Sequence, residues 1–553
     1  MTGKLFKTCA IALAILGIWH STGETQGAIT YRTVALKGEQ MPGMPSGASF
    51  NHFLYKPTIT ASGQIMVEGQ VEISEDAGVP ITRNGAWLID TDGSLYPIVL
   101  VGDPEPEAAP GLGITYFDPA IFSRNGLMVA LSFIYESNGL DLWGLGILSG
   151  GSSTSRYVAK TGDQAPGLNL GVEFSGFEMF PTNNDAGQAL FTANLRGPGV
   201  DHTNRTSVWS EGGGTLHMIA REGDDVPNMP EGVTFDQLDI SFWKSDINAS
   251  GQTAFTTSMH GPGIDDTNNL GLWSEDSGTL SLLVQSGDQA PGMEPGASFK
   301  GMGYPVQIND SGQVLFGAAL SGDGYDFSNN WGLWLSETGT LSPIVHKGDT
   351  APGTDSGTMF ESVSNYPVLS ENGQVWLYGS LLGPGVDATN DEGIWGGDEA
   401  SLDLLVRKGD AAPGMGSGVF FDDLTPQVIP NGAGQVVFSA NVTGTGIDES
   451  NNLSVWLSDP SGSLTPILRE GDPFDVNSDP LIDDYRTIRS IIYHVISHAG
   501  DHQNGAFNDV GEFVFRLTFT DDSEGIFVAT IPEPGTLGVL VVGAGVMVRR
   551  RCG

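Results

Sequence analysis

The sequence predicts an all-β protein: an eight-bladed β-propeller of four-stranded blades, closed by pairing the N-terminal strand with the last blade. Three observations predict it. Three separate markers each recur eight times, in one fixed order, across residues 30–530. Between them no segment keeps a helical apolar period, and short apolar runs are punctuated by Gly, Asn and Asp turns instead. The last repeat lacks a fourth strand, and the body of the chain begins with an orphan one.

The first marker is a Gly-acid pair at Gly38, Gly102, Gly162, Gly223, Gly287, Gly348, Gly409 and Gly471, with steps of 64, 60, 61, 64, 61, 61 and 62 residues. The second is a glycine before an apolar run, at Gly63, Gly126, Gly187, Gly251, Gly312, Gly373, Gly434 and Gly511; its last step of 77 gives the eighth unit an insertion. The third is a tryptophan, at Trp87, Trp143, Trp209, Trp273, Trp334, Trp395 and Trp456, replaced by Phe527 in the eighth unit. A period of this length marks a tandem array of one supersecondary unit.

Unit five shows the predicted strands: Phe299–Ile308, Gln313–Leu320, Leu333–Leu335 and Leu341–His346. The turns Asn309-Asp310-Ser311-Gly312 and Ser336-Glu337-Thr338-Gly339 suit tight hairpins. The second strand is apolar on both faces and built partly of small residues, which calls for cover on both sides and places it near the axis of a radial array. Unit eight supplies strands around Ile488, at Glu512–Thr518 and at Gly525–Thr530, and Tyr31–Leu36 stands alone before Gly38. Pairing Tyr31–Leu36 with the last blade removes an exposed edge. The alternative, a row of separate domains of about 61 residues, leaves half-exposed sheets with no disulfide to hold them.

Composition narrows the function. The chain has 553 residues, with 66 Asp plus Glu against 24 Lys plus Arg, so its net charge of −42 repels phosphate backbones and anionic membranes. No nucleic-acid partner is expected, and cations are favoured. Its two cysteines, Cys9 and Cys552, both lie in terminal segments, which removes disulfides, cysteine catalysis and Cys-ligated zinc from the body.

The ends carry an address. Residues 1–27 read as a signal peptide, with Lys4 and Lys7 before an apolar core from Cys9 to Trp19 and a polar zone from Ser21 to Gly27. At the other end, Pro532-Glu533-Pro534 precedes an uncharged stretch, Gly535–Val548, and then Arg549-Arg550-Arg551. This order resembles the PEP-CTERM sorting signal, also catalogued as the ice-binding protein C-terminal domain. The resemblance covers residues 531–553. It implies recognition by an exosortase-type sorting protease, transient membrane association through the short hydrophobic segment, and a cell-surface, outer-membrane or extracellular-matrix destination in a Gram-negative-type bacterium. Residues 28–530 form the eight-repeat body. Asn-x-x-Gly-x-x-Ala-Phe at Asn248–Phe255, with looser copies at Asn184–Phe191, Asn309–Phe316 and Asn508–Phe515, resembles the "choice-of-anchor" tandem-repeat proteins. Ser370 and Thr60 replace the asparagine in other copies, as a turn role allows.

Loops after strands two and four share one face of such a propeller, and this face is the elaborate one. It holds a repeated Asp-x-(Thr/Ser)-Asn: Asp201 with Asn204, Asp265 with Asn268, Asp326 with Asn329, Asp387 with Asn390, and Asp448 with Asn451. Oxygen ligands at alternate positions suit Ca2+; the same spacing also makes an Asx-turn. The Gly-Asp pairs read as loop braces and the tryptophans as core. His494, His498 and His502 form a unique cluster beside Asp501, a candidate transition-metal site. The expected function is a non-catalytic binding or structural protein that holds an extracellular polysaccharide or envelope protein. The alternative is a secreted glycan hydrolase or lyase with paired carboxylates on the long-loop face.

Overall fold

The computed structural model describes residues 28–532, except 42–46, 75–79, 101–111, 118–120, 124, 137–141, 151–155, 179–180, 239–243, 365, 399–400, 478–480 and 495–504. Residues 1–27, read above as a signal peptide, and those beyond Pro532, where the sequence resembles a sorting signal, lie outside the described residues, as does Gly102. Among the described residues no helix is long and apolar enough to cross a membrane.

The described chain is all-β and propeller-like, built as eight antiparallel sheets in chain order. Sheet five has strands Ser298–Ile308, Val314–Ser321, Trp331–Glu337 and Thr340–His346, in that spatial order. These bounds match the sequence reading to within two residues. Its last turn places Thr338 and Gly339 at φ 46° and 82°, the paired positive values that a tight hairpin needs. In most sheets bulges break the first strand in two, as in sheet three, where Glu173–Phe177 and Thr182–Asn183 both pair with Ala189–Arg196.

One detail departs from the sequence reading. First strands of successive sheets touch one another, Thr182–Asn183 against Ser245–Ile247 and Ser298–Ile308 against Val368–Leu369. The first strand is therefore the inner edge of its sheet, and the doubly apolar second strand lies one place further out. Its apolar character reflects burial between neighbouring sheets rather than position at an axis.

Each hydrophobic core lies between two sheets. Leu315 and Leu333 of sheet five pack with Leu377 and Trp395 of sheet six, for example. A single cluster joins sheets seven, eight and one through Val437, Phe515, Phe527, Phe50 and Trp87. In sheets one and three to seven a first-strand Phe meets the repeated Trp edge-on, with ring centroids 4.9 Å apart for Phe174–Trp209 and 5.0 Å for Phe299–Trp334. Phe474–Phe527, at 4.8 Å, preserves that contact in sheet eight without the tryptophan. Phe474 belongs to Pro473–Asp475, an additional strand pairing with Tyr485–Ile492 that the sequence did not disclose. Trp87, Trp209, Trp273, Trp334, Trp395 and Trp456 are fully buried core residues; the Trp143 side chain is outside the described set.

The chain's first strand, Thr30–Leu36, pairs antiparallel with the last, Glu524–Thr530, from Thr30 opposite Thr530 to Leu36 opposite Gly525. A second tie runs through the Asn-x-x-Gly turns. Asn248 accepts the N–H groups of Ser250 and Gln252 on Oδ1 and donates Nδ2 to the Asn309 carbonyl of the next sheet at 3.0 Å. Asn184 does the same to Asn248, Asn309 to Ser370, and Asn431 to Asn508. Asn508 donates to Thr60 of sheet one at 3.1 Å, across the junction between the last sheet and the first. The motif is thus a turn and an intersheet latch at once.

Asn508→Ala should cost about 1–3 kcal/mol, because it leaves the Glu512 N–H without its side-chain acceptor and takes one of two donors from the Thr60 carbonyl, which keeps the Gly63 N–H. Asn508→Ser keeps a turn acceptor and should cost less. Equal denaturation midpoints for parent and both variants would remove the latch from the account of the fold.

Candidate functional site

In all five Asp-x-(Thr/Ser)-Asn loops the hydrogen bonds are satisfied internally. Asp265 Oδ1 accepts the N–H and hydroxyl of Thr267 at 2.8 and 2.6 Å, Asn268 Oδ1 accepts the Asp265 N–H, and Asn268 Nδ2 donates to Gly263. Asp201 with Asn204, Asp326 with Asn329, Asp387 with Asn390 and Asp448 with Asn451 repeat this pattern. Of the two chemistries open to this spacing, the structure displays the Asx-turn. Among the described residues no three His, Cys, Asp or Glu side chains converge as a metal site. His494 follows the strand Tyr485–Ile492 rather than lying on it, and its burial pushes its pKa down to about 4, with Lys56 adding repulsion. His498 and His502 are outside the described residues.

The Gly-Asp pairs brace the crossings between sheets. Gly287 N–H donates to Phe299 of the next sheet, and Asp288 Oδ2 accepts the N–H of Gln285. Gln285 Nε2 and Arg407 Nε reach the Asn268 and Asn390 carbonyls, fastening the two loop types together. A charged group stands on this face between sheets six and seven, as Lys37, His52 and Glu524 do between sheets eight and one: Lys408 Nζ lies 3.1 Å from Glu392, 3.3 Å from Asp391 and 3.6 Å from Asp423. Burial alone would depress the lysine pKa, but the Glu392 and Asp391 hydrogen bonds and charges outweigh it and hold the ammonium above its ordinary range. Glu392 Oε2 accepts the Leu424 N–H of sheet seven. Burial, then the same two carboxylates, pushes the nearby Tyr378 phenol up to about 12. A protonated lysine, a tied carboxylate and a neutral phenol make a pin between sheets six and seven.

The opposite end of that junction is open. A cleft of about 590 Å³ separates the two sheets there, within the size range of small-molecule sites. Four substitutions in the repeat produce it. Ser370 stands where sheets three, four, five, seven and eight have the latch asparagine, as Thr60 and Ser123 do in sheets one and two, so no side-chain amide from sheet six reaches the Asn431 turn. Gly432 stands where Asp310, Glu371 and Asp509 offer a carboxylate to the preceding sheet's backbone, as Asp310 does to Ala249 at 2.8 Å. Trp376 and Gly396 are cross-strand partners, where sheet five pairs Leu315 with Leu335 and sheet seven pairs Val437 with Leu457. The indole lies against Gly396, where a Cβ would come within 2.3 Å of it.

Trp376 lines the cleft with Gln374, Asp398, Asp403, Ser401 and Asp459. Its Nε1–H is buried and has no hydrogen-bond partner. Tyr378 lies two residues along the same strand, and both rings are only partly buried where equivalent second-strand positions in other sheets are closed. The sequence reading missed this site. The signal was present as Trp-Leu-Tyr in a strand of small apolar residues and as a doubled Gly396-Gly397 after the core tryptophan.

Residues 75–537 match a family described as of unknown function, DUF7453. The chain belongs to that family. No curated protein matches it. Solved structures similar to this DUF7453 chain include an oligogalacturonate lyase in complex with manganese, 11% identical, covering 86% of this chain and 99% of that one, with a TM-score of 0.33. A Pyrococcus horikoshii acylaminoacyl peptidase is 10% identical over 84% of this chain and 49% of its own, about half its length, with a TM-score of 0.33. Trypanosoma rangeli sialidase is 10% identical over 88% of this chain and 60% of its own, with a TM-score of 0.25. At these values none of the three assigns chemistry to this chain.

The five Asx-turns give a pH prediction. Hydrogen bonds from the Thr or Ser hydroxyl, then from its N–H, hold Asp201, Asp265, Asp326, Asp387 and Asp448 below the ordinary carboxyl range. The unfolded chain then binds more protons than the native one near pH about 4, so this stabilisation is complete above the unfolded value and is lost as pH falls through the lower, folded one. Melting temperature should drop on acidification through that window, and replacing all five with Asn should flatten the drop. An unchanged slope would show that the turns do not titrate.

Proposed function

We propose that this protein is an exported, exosortase-sorted, non-catalytic binding protein of the cell surface or extracellular matrix, and that it holds a hydroxyl-rich glycan in the cleft between sheets six and seven. The observation that carries the reading is the Trp376–Gly396 pair, without counterpart in the other described sheets, at a junction that also lacks both the latch amide and the carboxylate tie, at Ser370 and Gly432. A repeated scaffold has no packing reason to lose its latch, its carboxylate tie and a side chain at one place while gaining an indole there. An aromatic ring beside amides, hydroxyls and carboxylates is the lining a pyranose needs, with its apolar ring face and polar rim.

The frame is a closed eight-bladed propeller in this reading, with Thr30–Leu36 as the outer strand of the eighth blade. The strand pairing, the Asn508–Thr60 latch and the core shared by sheets seven, eight and one support closure. Export rests on residues 1–27 and sorting on Pro532, Glu533, Pro534, Arg549, Arg550 and Arg551. Calcium has no part in it, because the Asp and Asn oxygens of the turns already accept backbone and hydroxyl hydrogens. The hydrolase or lyase reading would place a carboxylate pair on the long-loop face. Glu392 and Asp391 are the described pair there, and both serve Lys408.

A panel of surface polysaccharide oligomers titrated into the body, residues 28–531, should give saturable binding that Trp376→Ala abolishes. Ser370→Asn restores the latch and should weaken binding while raising the melting temperature. Binding untouched by both variants would move the site elsewhere. Sorting is read separately: with Pro532, Glu533 and Pro534 replaced by alanine the exported chain should keep its tail, and a mature mass showing the same cut as the parent would refute exosortase recognition.

A further inference from the structure

We infer that the cleft selects glycans carrying protonated amino groups, such as de-N-acetylated amino sugars, over neutral or acidic ones; this rests on the cleft being the binding site proposed above. The lining has three carboxylates, Asp398, Asp403 and Asp459, and no lysine, arginine or histidine. Two of them are committed to their own turns: Asp398 Oδ1 accepts the Ser401 N–H, and Asp459 Oδ1 accepts the N–H and hydroxyl of Ser461 at 2.8 and 2.6 Å. Their second oxygens keep the charge within the cleft. Asp403 is exposed and, among the described residues, makes no hydrogen bond or ion pair. It is placed to receive one.

The indole adds a second attraction for a cation, because a ring quadrupole draws positive charge to its face. The rest of the molecule works in the same direction. With a formal charge of −42 the protein concentrates cationic ligands and repels uronates and sulfated sugars. Clefts of one sign focus that field, so the effect is strongest where Lys and Arg are absent from the walls. Amide and hydroxyl groups at Asn372, Gln374 and Ser401 suit the ring hydroxyls between amino groups, which favours a glycan over a lysine side chain.

The test is calorimetric titration of the body at about pH 6, where sugar amines are protonated, with four tetramers: β-1,4-linked glucosamine, its N-acetylated form, a neutral glucose tetramer and a galacturonate tetramer, plus tetralysine. The glucosamine tetramer should bind about fivefold or more tightly than its N-acetylated form, and lose that advantage in high salt. Asp403→Asn should reduce the preference for the glucosamine tetramer over its N-acetylated form, and an unchanged preference would count against the inference. Equal binding of the amine, acetylated and neutral tetramers, all abolished by Trp376→Ala, would overturn the inference and leave the glycan site standing. No binding by any tetramer would overturn both. Tighter binding of tetralysine than of glucosamine tetramer would overturn the inference in favour of a basic protein partner.

Discussion

Second strands buried on both faces recur through the described sheets, and that constraint governs the rest. A second strand such as Val314–Ser321 is buried along nearly its whole length, so its sheet cannot stand alone in water. Stability comes from sheet-on-sheet contact, with a core of leucines, valines and aromatic rings in each gap. The two terminal sheets face the same demand, and the core formed jointly by sheets seven, eight and one meets it. Hydrogen bonds then set the register of what apolar burial draws together. The Asn Nδ2 latches act at the short-turn end, and the Gly-Asp crossings act at the long-loop end.

Repetition gives the exceptions their meaning. Where one side chain recurs in five or more sheets it is doing the same structural task each time, as the Asx-turn aspartates and the buried tryptophans do. The gap between sheets six and seven keeps its long-loop pin through Lys408 and Glu392 but has neither tie at the other end. The result is a wedge, closed at one face and open at the other. The indole of Trp376 enters the space that Gly396 vacates, and its buried N–H finds no partner within the protein. The N–H groups of Trp87, Trp273 and Trp331 are in the same state, so it is the open cleft beside the Trp376–Gly396 pair that directs our reading to this junction.

Charge and shape then act together. The acidic surface sets which ligands approach, and the cleft lining sets which remain. Neither requires catalysis. The Lys408 cluster on the long-loop face has its lysine kept protonated by two carboxylates and its tyrosine kept neutral by burial, which suits a brace.

The sequence by itself determined the repeat, the strand order within each unit, the core tryptophans and the orphan first strand, because periodic apolar runs and turn residues act locally and the pattern was sampled eight times. It also exposed both chemistries open to Asp-x-(Thr/Ser)-Asn without choosing between them, since the spacing that brings two oxygens together serves a backbone N–H as well as a cation. Only the tertiary structure displays the turn, placing Thr267 N–H on Asp265 Oδ1. It alone showed that Asn248 reaches a carbonyl 61 residues away, and that Ser370, Gly432, Trp376 and Gly396 meet at one junction. Those residues are separated along the chain by up to a full repeat, and no local pattern marks an absent donor. A missing latch becomes visible only once the neighbouring sheets that should share it are in place.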